Sequence, residues 1–148
     1  MSLRYGAFRF LDLGDLGWNM LWRLACPTPL LDSTDVYLVP HHGGEDVNVP
    51  TLLALLHPRV AIVNNGPTKG GAPETLAALQ QQVGGVRGLE DVWQLHRSST
   101  AGAANTRDDL VANIDEGATG FSIKIEARAD GRFTVINRRN GLVKTYSR

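Results

Sequence analysis

Apolar residues fall along this chain in short runs, and each run stops at glycine, proline or histidine. Phe8-Arg9-Phe10-Leu11-Asp12-Leu13 alternates little, predicts a strand covered on both faces, and closes at Gly14-Asp15. Leu16, Met20, Leu21 and Leu24 then recur at helical spacing, with Trp18 and Trp22 four apart, so Leu16 to Ala25 reads as a helix. Cys26-Pro27-Thr28-Pro29 ends it, because proline cannot continue a helix and disfavours one in the residue before. A second buried strand, Val36 to Val39, runs into Pro40-His41-His42-Gly43-Gly44.

The pattern then repeats. Pro50 with Leu52, Leu53, Leu55 and Leu56 predicts a short helix that His57-Pro58 stops. Val60 to Val63 is a third strand, followed by the loop Gly66-Pro67-Thr68-Lys69-Gly70-Gly71 and a helix opened by Pro73 and Glu74. Val92 to Leu95 is a fourth strand, ending at His96. Strand, ligand-like loop, helix is the order of parallel α/β units, whose functional groups collect at strand carboxyl ends. Arg97 to Thr106 reads as a flexible surface loop, and Asp108 to Ile114 as one or two helical turns. From Phe121 the period becomes two, and the turn signals Asp130-Gly131 and Asn140-Gly141 predict a three-stranded antiparallel meander closing over an edge or face of the sheet.

Composition adds exclusions. The 148 residues suffice for one domain with a real core, so 1–148 reads as a single domain. Fifteen basic and fifteen acidic side chains cancel, and no basic stripe with interleaved aromatics advertises nucleic acid. No apolar run approaches a membrane span, no signal-peptide pattern opens the chain, and the compartment is not readable. A lone Cys26 excludes a disulfide framework and a multi-cysteine zinc site.

The candidate chemistry sits at strand ends. A carboxylate, Asp15, and the imidazoles His41 and His42 are donors that Zn²⁺, Mn²⁺ or Fe²⁺ accept. Adjacent strand side chains face opposite ways, so one histidine would meet a metal and its neighbour a substrate or a supporting contact. The plainer alternative makes Gly14-Asp15 a helix cap and the histidines a polar loop. Asp12 either contacts this site or caps within the core. Lys69, with the amides at the following helix start, would hold an anion such as a phosphoryl oxygen, although a simple glycine turn explains the loop equally. His96 is either a substrate contact or a surface histidine, and His57 suits a helix carboxyl end. Trp18, Trp22 and Trp93 read as core or subunit contacts.

Phe10-Leu11-Asp12-Leu13-Gly14-Asp15 followed by Val36-Tyr37-Leu38-Val39-Pro40-His41-His42-Gly43 resembles the last two metal motifs of the metallo-β-lactamase superfamily, in the variety related to competence-type extracellular hydrolases. The pieces from Val60 to Pro67, Leu89 to His96 and Asn137 to Gly141 look like bacterial members of that group. The resemblance implies an αββα sandwich and a centre of one or two metal ions, zinc or another divalent transition metal. Such a centre activates water against esters, amides or phosphodiesters. Asp15 would be the bridging aspartate, and His41 or His42 the last histidine ligand.

The family's main cluster, His-x-His-x-Asp-His, normally precedes Gly-Asp, and no histidine occurs before His41. The chain is therefore expected to be the carboxyl-terminal half of an αββα domain. By itself it would be inactive and bind metal weakly or not at all. One sheet face would lie bare, driving homo-oligomerisation. The substrate would be a small molecule or a phosphodiester. The alternatives are a non-catalytic binding or assembly module on the same fold and an anion-binding domain around Lys69.

Overall fold

The structure, a computed structural model, describes residues 1–47, 49–85, 88–115 and 120–147, without the Val49 side chain. Two sheets are present. The larger contains β1 (Ser2–Tyr5), β2 (Phe8–Asp12), β3 (Val36–Leu38), β4 (Val60–Val63), β5 (Asp91–His96) and β6 (Val111–Asn113), side by side in chain order. β1 is antiparallel to β2, and β2 through β6 are parallel. The smaller sheet is the expected meander of β7 (Ile123–Ala127), β8 (Phe133–Asn137) and β9 (Val143–Tyr146).

Parallel neighbours require crossovers; α1 (Trp18–Ala25), α2 (Val49–Leu56) and α3 (Pro73–Gln80) supply the first three, and the loop with two 3₁₀ turns between β5 and β6 makes the fourth. Strands laid down in sequential order with crossovers of one hand place every helix on the same face. Leu21, Leu52, Leu53, Leu56, Leu76 and Leu79 accordingly share one core with Leu11, Tyr37, Val39, Ala61, Val63 and Val92 of the sheet. The opposite face presents Phe8, Val36, Val60, Ile62 and Trp93, and the meander covers it with Phe133, Val135 and Tyr146. β4 is buried along its whole length because both its faces are covered.

Several expectations change. The face expected to lie bare is the one beneath the meander, so the reason given for homo-oligomerisation is removed. Asp108 to Ile114 is not helix beyond a single 3₁₀ turn at Asp108–Leu110; Val111–Asn113 pairs with β5 instead, where three buried positions outweigh local propensity. The loop after β5 is tied down rather than free. Asn105 bonds to both the amide and the carbonyl of Ser98, at 2.8 and 2.9 Å, and accepts from Gln94 at 3.0 Å. In α1 only Leu21 and Ala25 are buried, whereas Trp18, Met20 and Trp22 are exposed; Trp93 alone of the three tryptophans is core. No helix among the described residues is long and apolar enough to cross a membrane.

Candidate functional site

Parallel strands β2, β3 and β4 end at the same level, with Asp12 opposite Leu38 and Leu38 opposite Ile62. The loops that follow therefore meet. Asp12 turns its chain here, its Oδ1 accepting from the Gly14 amide at 2.8 Å, and the Gly14 carbonyl accepts from the His41 amide at 2.9 Å. The Gly14-Asp15 turn and the histidine loop are thus fastened directly to each other.

The histidine loop is not a strand continuation. His41, His42 and Gly43 have φ of 47°, 55° and 71°, a left-handed turn in which only the third residue is glycine. For an L-residue with a Cβ this region costs roughly 1–2 kcal/mol per residue, and runs of it persist only where surroundings over-determine them. The turn aims the two rings differently. His42 Nδ1 lies 2.9 Å from the Asn64 carbonyl oxygen. A carbonyl only accepts, so Nδ1 carries a proton and Nε2 is the nitrogen left facing outward. That Nε2 lies 3.5 Å from Asp15 Oδ1. His41 Nδ1 donates at 2.8 Å to Asp46 Oδ1 instead.

Asp15, His42 and Asp12 line a shallow pocket of about 160 Å³, and His41 borders both it and a wider cleft of about 500 Å³ that includes Glu45, Asp46 and Thr68. The residues lining these two spaces include four carboxylates and no Lys or Arg, which favours a cation. Without a proton on Nε2, that nitrogen and the carboxylate oxygen are two acceptors without a donor. Either a shared proton or a metal cation completes it. The pair fits a divalent transition metal as two of its donors. A group of three candidate metal ligands does not occur among the described residues, and zinc sites take at least three protein donors.

The other candidates lie elsewhere. Lys69 is exposed, lines neither space, and lends its carbonyl to the Gly66 amide at 2.8 Å. Of the amides leading into α3, those of Gly71 and Ala72 are already given to the His42 and Gly43 carbonyls, at 2.9 and 2.8 Å. His96 lines a separate pocket with Pro67, Arg97 and Asn113. Its backbone is bridged to β4 by Asn65, whose Nδ2 donates to the His96 carbonyl at 2.8 Å.

Three contributors were not singled out from sequence: Asp46, the Asn64 carbonyl and Asn65. An acidic residue five positions after a loop histidine was a usable signal for Asp46. A backbone carbonyl leaves none in side-chain identity.

No family model matches the chain, and neither a curated protein nor a solved structure matches it.

Proposed function

We propose that this chain is the carboxyl-terminal part of a metal-dependent hydrolase of the metallo-β-lactamase kind, contributing a two-donor half-site, Asp15 and His42, to a zinc or similar divalent centre. One observation carries the reading: with Nδ1 committed to the Asn64 carbonyl, the Nε2 of His42 faces the Asp15 carboxylate at 3.5 Å. Layers of helix, sheet and second sheet are consistent with half of an αββα sandwich. Two donors do not complete a zinc site, so the reading requires further donors from another segment or chain.

When bound, such a metal supplies a water of lowered pKa as the nucleophile for an ester or phosphodiester. Asp15 and His42 would hold the ion. His41, fixed by Asp46, would face the substrate side, since it borders both the pocket and the wider cleft.

The test is a Zn²⁺ titration of the isolated chain, followed by amide and imidazole chemical shifts. Weak binding that moves Asp15 and His42 is expected, lost in Asp15→Asn and His42→Ala but retained in His41→Ala. Shifts centred elsewhere, or dependence on His41 instead of His42, would overturn the assignment. A chain whose Asp15 and His42 ignore zinc would leave a non-catalytic binding module as the better reading.

A further inference from the structure

The glycine loop before α3 suggested an anion site, but its polar groups are occupied in a specific way. Three successive carbonyls of the histidine loop are taken from one side. His42 O accepts from the Gly71 amide at 2.9 Å, Gly43 O from the Ala72 amide at 2.8 Å, and Gly44 O from Thr75 Oγ1 at 2.7 Å. Gly70 is packed so closely that a Cβ there would lie 2.2 Å from His42 O and 2.5 Å from its Cβ. Such a clash meets backbone, which cannot swing aside. Gly70 also has φ of 72°. Thr75 is itself buried, at 3% exposure.

We propose that the segment from Gly70 to Thr75 is the positioning element of the Asp15–His42 pair. By capturing these carbonyls it holds His41-His42-Gly43 left-handed and keeps His42 Nδ1 on the Asn64 carbonyl, so that Nε2 is the nitrogen presented to a divalent cation. The proposal rests on the half-site reading above. It gives the loop a role that needs no anion and no charge from Lys69. It also accounts for a left-handed turn built on two non-glycine residues. Backbone strain at a site persists where neighbours fix it, and partners that orient a ligand ring set which nitrogen is available.

The experiment compares Gly70→Ala and Thr75→Val with Gly84→Ala. Gly84 has φ of 73° but nothing within 4 Å of an added Cβ, so its alanine variant carries the same backbone strain without touching the histidine loop. The first readout needs no metal: long-range ¹H–¹⁵N correlation at a pH where the ring is neutral reports the His42 tautomer. Wild type and Gly84→Ala should show Nδ1–H alone. Gly70→Ala and Thr75→Val should lose that purity. Zn²⁺ affinity should fall 10–100-fold in those two variants and stay unchanged in Gly84→Ala.

Folded Gly70→Ala and Thr75→Val proteins that keep a pure Nδ1–H tautomer would overturn the proposal. If Gly70→Ala does not fold, Thr75→Val, which exchanges the hydroxyl for a methyl and so withdraws the donor to the Gly44 carbonyl, decides alone. A tautomer change in a chain that never binds zinc would support the positioning role and sink the metal reading separately.

Discussion

At the residue scale, positive φ without glycine separates positions that serve the site from one that does not. His41 and His42 carry it where their rings converge on partners, whereas His57 carries it, at φ 46°, at the carboxyl end of α2 with its side chain in solvent. Its amide still closes the helix on the Leu53 carbonyl at 3.1 Å, and glycine at that position makes the same bond without strain. His57→Gly should therefore raise unfolding stability by about 1 kcal/mol in urea denaturation; an unchanged or lower midpoint would refute it. The helix-dipole role expected of His57 is a smaller effect than this strain. Asp15 and a histidine were legible as a pair, because Gly-Asp and Pro-His-His-Gly both follow apolar runs. Which histidine faces Asp15 was not, since the alternation rule applies to strands and these residues form a left-handed turn.

At the scale of elements, the four central strands and three helices were legible because each is an apolar or helically spaced run stopped by glycine, proline or histidine, although α1 buries only Leu21 and Ala25. β1 was not, since all four of its residues are exposed and no face pattern marks it. β6 was missed for a related reason. It is three residues long, and a buried amide lattice fixes it. Asn137, fully buried, donates to the carbonyls of Asp109 and Val111, each at 2.9 Å, while its Oδ1 accepts from the Arg139 amide at 2.9 Å. Asn113 does the same between Leu95 and Phe121. Single side chains thereby join the meander to the parallel sheet. Asn137→Ala removes three hydrogen bonds, but the Asp109 carbonyl keeps Asn140 Nδ2 and the Val111 carbonyl keeps the Arg139 guanidinium, so the cost should be about 2 kcal/mol. Chemical denaturation should show this loss, with protection of the β6 amides against hydrogen exchange falling first. A cost under 1 kcal/mol would mean that the lattice is not what holds β6.

At the scale of the whole molecule, two buried phenols, one on each side of the large sheet, set the alkaline limit. Burial pushes the Tyr37 hydroxyl well above the usual tyrosine range. Tyr146 is pushed up likewise, by burial first and then by its 2.6 Å hydrogen bond to Asp91. Both stay neutral in the folded protein after an unfolded chain would ionise, near pH 10. Their contribution is therefore fully present below that pH and is lost as pH rises beyond it. The decline should be about 1.4 kcal/mol per pH unit for each tyrosine, about 2.7 together. Urea midpoints between pH 9 and 11.5 measure the slope, and Tyr37→Phe should halve it. Tyr37 also makes the cleaner substitution, since its hydroxyl is buried without a hydrogen-bond partner.

The chain's earliest hairpin and its last sheet are fastened together, the Ala7 amide donating to the Ala129 carbonyl at 2.8 Å and Gly6 leaving no room there for a side chain. A ribosome therefore delivers the parallel strands well before it delivers their cover. During that interval Phe8, Val36, Ile62 and Trp93 stand as a greasy nascent surface. Translation halted near residue 120 should yield chains that bind chaperones or aggregate, whereas chains carrying the meander should be released clean.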